Sequence, residues 1–239
     1  MRYQERFYRN IVTSNLNSFS VRIKESDLFI LADTNLSEPA KKQLNKQRYI
    51  LEQYINQHPD FYLSFTPVFC EKKAPKIVRL MSEASFLCNV GPMATVAGAL
   101  AEQVGKYLLN FSSQIIIENG GDLFLMIKKE IIVAIFAGNS PFSLKIGLRI
   151  KPRAMPFGIA TSSGTVGYST SQGQADSVTV ICPTATLADG LATYMCNLTC
   201  NRSLSSLETA IKQFPFLEGI IAIKNKELFV WGDIEIVQV

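Results

Sequence analysis

Residues 115–125 read IIIENGGDLFL. The three consecutive isoleucines favour a strand, and the apolar residues after Asp122 favour a second strand. Between the two, Asn119, Gly120 and Gly121 readily take positive φ, as a two-residue hairpin turn requires. The same backbone can direct successive N–H groups at an anion or a ligand carbonyl, and carboxylates flank it on both sides, at Glu118 and Asp122. The stretch predicts a β-hairpin, with a binding site at its turn as the alternative.

Strand and helix patterns alternate along the rest of the chain, apart from residues 59–90, which show neither pattern clearly. With no linker, repeat or low-complexity tract, the chain is expected to form one α+β domain over residues 1–239. The predicted elements are a hairpin over Ser18–Ala32, a helix from an N-cap at Ser37 to His58, a helix from Gly91 to about Leu109, strands at Ile131–Phe136, from Gly158 and at Ser177–Ile181, a helix over 186–198, a short helix near Ser205–Phe214, and β-rich sequence to Val239.

Composition narrows the class of protein. The 239 residues are 47% hydrophobic and 18% charged, which is ordinary for a globular protein with a sizeable core. The net charge of +4 is spread along the chain without a basic stripe, so a nucleic-acid partner is not expected. Five scattered cysteines and a single histidine, His58, suit reduced thiols rather than disulfides or a structural zinc site. No signal peptide or membrane span is recognised, and the expected location is the cytoplasm.

A loop rich in hydroxyl groups follows the strand that begins at Gly158. Between Thr161 and Gly173, seven of thirteen residues are Ser or Thr and three are Gly. Such a loop offers neutral donors for phosphate oxygens or the edge of a base, although it lacks the residue order of a P-loop. A surface loop without a site would have the same composition, so both interpretations stay open.

Two helix starts are further candidates. Asp189 and Thr193 stand four residues apart and so share a helix face, where a carboxylate and a hydroxyl are oxygen ligands of the kind that Mg²⁺ accepts. The alternative is a capping box, in which Asp189 binds backbone N–H groups at the start of its own helix after Thr186. The helix from Gly91 begins with small residues, which allow either a phosphate at its first N–H groups or tight packing against a neighbour.

Four ordered motifs carry a resemblance to a known family. They are VGPMATVAGALAEQVG, IIIENGGDLFL, GIATSSGTVGYSTSQGQADSVTVI and TLADGLAT, beginning at residues 90, 115, 158 and 186. Together they resemble the uncharacterised UPF0280 family, which is similar to the ApbE superfamily of flavin transferases. The resemblance implies an ApbE-like, T-fold-like α+β domain with a mostly antiparallel sheet and packed helices. It also implies Mg²⁺-dependent transfer of FMN from FAD to a threonine of a protein, or hydrolysis of FAD.

The resemblance also implies roles for particular residues. Asp189 and Thr193 match the side-chain metal ligands, and the carbonyl of Ala94 would complete the metal site. Two segments match backbone beside the bound nucleotide, namely the glycine turn and the step that ends the strand from Gly158. The residues assigned to nucleotide binding are Asn119, Gly120, Gly121, Asp122, Thr161, Ser162, Ser163 and Gly164.

Two departures from the flavin transferases, and one from UPF0280 members, leave the activity open. The His-Ile-Ile-Asp-Pro segment that precedes the ADxLxT helix is absent. Thr95 stands where those enzymes tend to have the lysine of Ala-Lys-Gly, and Tyr168 stands where UPF0280 members often have histidine. The alternative is therefore a non-catalytic nucleotide-binding or assembly module on the same scaffold. A third possibility is an unrelated small-molecule enzyme.

The sequence leaves several questions unanswered. It identifies no protein substrate, and a homo-oligomer is compatible with it. Glu118, Tyr168 and Asp176 receive no role.

Overall fold

The structure is a computed structural model that describes Arg9, residues 14–165 and residues 173–239. Its strands are β1 (Asn17–Ile23), β2 (Ser26–Ala32), β3 (Ile115–Asn119), β4 (Asp122–Met126), β5 (Ile131–Ala134), β6 (Ile146–Ile150), β7 (Phe157–Ser162), β8 (Ser177–Cys182), β9 (Gly219–Lys224), β10 (Glu227–Gly232) and β11 (Glu235–Gln238). Its helices are α1 (Ser37–Gln57), α2 (Pro59–Leu63), α3 (Lys76–Cys88), α4 (Val96–Leu108), α5 (Ala185–Leu198) and α6 (Leu207–Ile211), with 3-10 turns at Pro92–Thr95 and Leu204–Ser206.

The β3–β4 hairpin lies inside the larger of two antiparallel sheets. Within the described residues that sheet has the order β1-β2-β3-β4-β7-β8-β9-β10, and the smaller sheet has the order β11-β6-β5. Asn119 faces Asp122 across the two-residue turn, as the Asn-Gly-Gly sequence predicts, and both Gly120 and Gly121 have positive φ. The expected α+β fold with a mostly antiparallel sheet is confirmed.

The large sheet is covered on both faces, which sets the layers of the molecule. On one face Ile115, Ile117 and Phe124 pack with residues of the helices. On the other face Leu125 and Ile159 pack with residues of the smaller sheet. Alternate residues of each strand therefore point to a helix side and to a small-sheet side. This alternation decides which candidate residues can meet.

Several element boundaries differ from the sequence expectation. Helix α3, Lys76–Cys88, lies in the stretch that shows no clear pattern, and strand β6 was not predicted either. Ser37 is the first residue of α1 rather than its N-cap, a position held by Leu36. The helix expected from Gly91 begins as a 3-10 turn and becomes α-helical at Val96.

The described residues contain no single helix that is both long and apolar enough to cross a membrane. Helix α3 and the segment Pro92–Leu108 together meet the length and composition criteria for a span, but they are bent by 101° relative to each other.

Candidate functional site

Helices α4 and α5 cross at Gly98, and this crossing places the candidate metal ligand. A Cβ on Gly98 would lie 2.2 Å from the carbonyl oxygen of Ala185, so only glycine allows the backbones to approach this closely. The Asp189 Oδ2 atom of α5 accepts a hydrogen bond of 2.8 Å from the Gly98 N–H of α4, and the N–H of Ala97 also faces the carboxylate. The small residues at the start of α4 therefore serve tight packing, against α5.

The alternative interpretation of Asp189, as part of a capping box at the start of α5, is wrong. The N-cap is Thr184, whose Oγ1 accepts from the Leu187 N–H at 3.2 Å. Asp189 lies one turn further along and caps α4 instead of its own helix. For the same reason the Gly98 N–H is not available to a phosphate, because a carboxylate of the protein already occupies it.

A second carboxylate binds the start of α5 in the same way. Glu102 of α4 is 1% exposed, and its Oε2 accepts from the N–H (3.1 Å) and the hydroxyl (2.7 Å) of Thr186. Its Oε1 accepts from the Lys106 ammonium at 2.6 Å. Each of the two crossing helices thus supplies a carboxylate to the first turn of the other, where the helix dipole favours negative charge. The sequence analysis missed Glu102, although it is the first charged residue after an uncharged run over 84–101.

The two carboxylates differ in their electrostatic surroundings. Glu102 has the Lys106 ammonium beside it, whereas no Lys, Arg or His of the described chain lies within ion-pair distance of Asp189. Burial raises the pKa of Asp189 to about 7, against the lowering effect of the N–H groups of Gly98 and Ala97. Burial, and secondly the charge of Asp189, raises the pKa of the nearby Cys88 thiol to about 12. The ionised form of Asp189 therefore has no cationic side chain of the described chain to stabilise it, and a bound cation would favour that form.

The β3–β4 turn is fastened to the start of α4 on the helix side. The Asn119 side-chain amide donates to the Ala97 carbonyl at 3.0 Å. Asp122, opposite Asn119 in the strand register, is buried on the same side of the sheet. The side chains of Asn119 and Asp189 therefore both bind the first turn of α4.

The N–H groups of the glycine turn already bind an anion, and that anion is Glu118. Its Oε1 accepts from the N–H of Gly120 at 2.7 Å and from the N–H of Gly121 at 3.1 Å. Its Oε2 accepts from the Arg9 guanidinium at 2.6 Å, and Arg9 also contacts Asp27 at 3.0 Å. Glu118 therefore rigidifies the turn, and these two N–H groups do not face a ligand.

The residues that end β7 separate between the two faces of the sheet. Gly158 contacts Ala185 of α5 and Ala160 packs in the same helix-side core, so the two-residue period puts Ser162 on the helix side too. Thr161 points the other way and its hydroxyl bonds that of Thr179 at 2.8 Å. Ser162 therefore shares a side with Asp189, and the Thr161 side chain does not.

Ser162 has an unsatisfied polar group. It is 5% exposed, and its Oγ has no hydrogen-bond partner among the described residues. Buried hydroxyls are normally paired, so an orphan at this place indicates a missing partner. Ser163 and Gly164 lie further along, where the Gly164 N–H donates to the Ala175 carbonyl at 3.0 Å and fixes the neck of the loop.

The other two proposed metal ligands lie on α5 and on the 3-10 turn before α4. Thr193 follows one helical turn later on α5, is partly exposed, and makes no side-chain hydrogen bond with the described chain. Ala94 lies in the 3-10 turn before α4. This turn packs on α5 through Thr95, because a Cβ added to Gly190 would lie 3.0 Å from the Thr95 Cγ2 atom.

The oxygen donors of Asp189, Thr193 and Ala94 are of the types that Mg²⁺ accepts. Mg²⁺ is usually held by one or two carboxylates and keeps other positions for water and substrate phosphates. Asp189 supplies a buried carboxylate without a counter-charge, with the Thr193 hydroxyl on the same helix face and the Ala94 carbonyl on the adjoining turn. No group of three or more His, Cys, Asp or Glu side chains able to hold a metal occurs in the described ranges, so a purely protein-made site of that kind is not found there.

Three further features named in the sequence analysis, Asp176, His58 and the hydroxyl-rich loop, are not part of the contacts around Asp189. Asp176 binds the Thr165 hydroxyl at 3.0 Å and the Asn225 N–H at 2.6 Å, so it ties the loop to the β9–β10 turn. His58 stacks on Tyr54 at the end of α1, in keeping with a structural role. Tyr168 and most of the hydroxyl-rich loop, residues 166–172, lie outside the described residues.

Comparison with known sequences identifies the family. A family model described as AbpE bacteria matches residues 9–210. A UPF0280 protein of Methanocaldococcus jannaschii is 39% identical over 220 residues, which cover 89% of each chain. A UPF0280 protein of Methanococcus vannielii is 41% identical over 202 residues, covering 83% of this chain and 82% of the relative.

Comparison with solved structures identifies the fold. The flavinyl transferase ApbE of Pseudomonas stutzeri, in its apo form, superposes with a TM-score of 0.57 at 15% identity, covering 91% of this chain and 94% of the other. The flavin transferase ApbE of Vibrio cholerae superposes with a TM-score of 0.55 at 13% identity, covering 91% and 96%. At such identities the likeness concerns the fold alone. The chain shares the fold of the ApbE flavin transferases. It matches the AbpE family model and belongs to the UPF0280 family.

Proposed function

We propose that the protein binds FAD together with Mg²⁺ where α4, α5, the β3–β4 turn and the end of β7 converge, and that it acts on the pyrophosphate bond of FAD. The observation that carries the proposal is the Asp189 carboxylate, which is held on the α4 N-terminus with no cationic side chain of the described chain to neutralise it. A divalent cation bound at the carboxylate would supply that missing positive charge and could also coordinate phosphate oxygens.

Different residues of the chain would bind the metal and the nucleotide. Asp189 and Thr193 would hold the ion from α5, with the Ala94 carbonyl from the adjoining turn. The Ser162 hydroxyl, which has no hydrogen-bond partner among the described residues, would donate to a phosphate oxygen. Asn119 would keep the first turn of α4 in place through its bond to Ala97, and Asp122 lies beside it.

The reaction that suits this arrangement is phosphoryl transfer. A water or a protein hydroxyl attacks the phosphorus of the FMN half, the bridging P–O bond breaks, and AMP leaves. A bound Mg²⁺ supplies charge neutralisation at the phosphate oxygens, so a histidine is not indispensable.

Thermal unfolding tests ligand binding. FAD at about 100 times its Kd should stabilise the protein by about 2.7 kcal/mol, which is about 5–10 °C in Tm for a chain of this size, and only with Mg²⁺ present. Asp189→Asn should abolish the Mg²⁺-dependent rise while keeping an oxygen that can accept from Gly98. Asp33→Asn is the matched control, because Asp33 also accepts from a loop N–H, that of Ser113 at 2.8 Å, but lies outside the site.

The outcome of that experiment decides the proposal. A wild-type protein whose Tm does not rise with FAD, FMN, ADP or ATP and Mg²⁺ is incompatible with it. If Asp189→Asn keeps the full rise in Tm, the metal does not bind at Asp189.

A non-catalytic nucleotide-binding or assembly module is the second candidate. The chain lacks the histidine segment between β7 and α5, and Thr95 occupies the position of the lysine, which favours binding without turnover. Chromatography of FAD incubated with the protein and Mg²⁺ separates the two functions. Release of AMP supports catalysis, and a Tm rise without AMP supports the module.

A further inference from the structure

A surface rich in aromatic side chains lies beside the candidate site and is exposed within the described part of the chain. It consists of the end of α2, the loop after it and the end of α3, and its exposed apolar side chains are Tyr62 (57% exposed), Leu63 (65%), Phe65 (74%), Phe69 (84%), Phe86 (38%) and Leu87 (54%). We call these six residues the aromatic patch. Residues 61–70 and 84–101 contain no charged side chain, so no Lys or Glu from these segments interrupts it.

The patch is held in this conformation by the fold. Val68 and Cys70 point inward and pack against the core, and the Ser82 hydroxyl donates to the Val68 carbonyl at 2.8 Å. Phe69 is therefore directed outward, where its ring stacks on that of Phe86 at 4.1 Å between centroids. The backbone of Phe65 packs closely against Gly91, because a Cβ added to Gly91 would lie 3.0 Å from the Phe65 Cα.

The exposed apolar area of the patch is large enough for the centre of a stable interface. The exposed parts of its four aromatic side chains amount to roughly 500 Å², at about 200 Å² for a whole ring side chain. Two exposed leucines add to this area, whereas the largest apolar patch of a typical monomer is about 300–600 Å² in total. A stable interface buries about 800 Å² on each partner, most of which this patch supplies.

We propose that the aromatic patch is the contact surface of a homodimer. Depletion of charge and enrichment in aromatic residues are typical of the centre of homodimer interfaces, which are more apolar than transient ones. An isologous contact also needs a surface that is complementary to itself, and the six uncharged side chains of the patch oppose no like charges when they meet their own copies, while Glu83, one helical turn before Phe86 and Leu87, would lie at the rim. Gly91 precedes the 3-10 turn that carries Ala94, so the second copy would border the candidate site. The proposal is independent of which nucleotide binds there.

Light scattering coupled to size-exclusion chromatography tests the dimer with the full chain. The wild-type protein should have twice the monomer mass of 26.6 kDa at micromolar concentration. Phe69→Glu should raise the dimer Kd at least about 30-fold, as expected for a hot spot of about 2 kcal/mol, and elute as a monomer. Because Phe69 is 84% exposed, its replacement removes no core contact, and an unchanged circular dichroism spectrum would show that the variant folds.

Phe111→Glu is the matched control. Phe111 is also exposed, at 52%, but it follows the C-terminal end of α4, and the 13 residues or about 20 Å of this helix separate it from the 3-10 turn next to Gly91. This variant should stay dimeric. A monomeric wild-type protein would overturn the proposal, whether or not it captures another protein. A Phe69→Glu variant that remains dimeric would overturn it equally, as would loss of the dimer in Phe111→Glu with retention in Phe69→Glu.

Discussion

Replacing Gly98 by alanine should destabilise the protein, although alanine is the better helix former. In a helix interior the change from Gly to Ala contributes about 1 kcal/mol of stability. Here the new Cβ would lie 2.2 Å from the Ala185 carbonyl oxygen and 2.8 Å from the Asp189 Cβ. The first of these atoms is backbone and cannot rotate away, so α4 and α5 must separate, at a cost of about 3 kcal/mol for overpacking.

The two contributions leave a net loss of about 2 kcal/mol for Gly98→Ala. For a chain of 239 residues this corresponds to a fall in Tm of about 4–8 °C, measured by calorimetry or circular dichroism. The variant should also lose the Mg²⁺-dependent response to FAD, since the N–H that positions Asp189 moves with the helix.

Gly190→Ala provides the comparison on the partner helix. There the added Cβ would meet the Thr95 Cγ2 at 3.0 Å and the Cys88 Cβ at 3.3 Å, so a shift of a few tenths of an ångström suffices. The gain in helix propensity then offsets most of the strain, and the stability should stay within about 1 kcal/mol of wild type. A Gly98→Ala variant as stable as Gly190→Ala would refute the close crossing of the two helices.

Two further predictions concern carboxylates that hold the fold. Glu102→Ala should lower the free energy of unfolding by about 3 kcal/mol in urea titrations, because it leaves the buried Thr186 N–H and hydroxyl without an acceptor. A loss below about 1 kcal/mol would contradict the role of Glu102 as a buried cap. Hydrogen bonds from the side chains of Ser113 and Gln114 hold the pKa of Asp33 well below its usual range, so its stabilising contribution is present at neutral pH and is lost as the pH falls below about 4, toward the folded-state pKa. Urea midpoints of Asp33→Asn should therefore change less between pH 5 and pH 3 than those of wild type, and equal slopes would contradict the assignment, with the effect kept small by the exposure of Asp33.

Local chemistry predicts the hairpins and misses α3 for a physical reason. The sequence IIIENGGDLFL carries both strand propensity and turn residues, so the β3–β4 pairing follows from neighbouring residues alone. The buried face of α3 includes Ser82, Ala84 and Ser85 among its apolar residues, which hides the helical period. Its N-cap is Pro75, which has no side-chain acceptor to mark the start.

The candidate site shows where a single-sequence argument ends. Thr186 and Asp189 fit the spacing of a capping box, but Thr184 provides the cap and Asp189 bonds Gly98, 91 positions away in the chain. A competing partner from another helix cannot be recognised from spacing within one helix. The same holds for Glu118, whose role depends on the N–H groups two and three residues later and on Arg9.

The crossing of α4 and α5 offers an internal comparison that separates structure from function. Glu102 and Asp189 both accept from the first turn of the opposite helix, so both contribute to holding the crossing. Glu102 is balanced by Lys106, and a purely structural pair needs nothing more. Asp189 performs the same structural task, and burial raises its pKa to about 7. A carboxyl with a raised pKa is only partly ionised at neutral pH, and a cation bound beside it would lower that pKa, so the pKa of Asp189 with and without Mg²⁺ distinguishes a metal ligand from a purely structural cap.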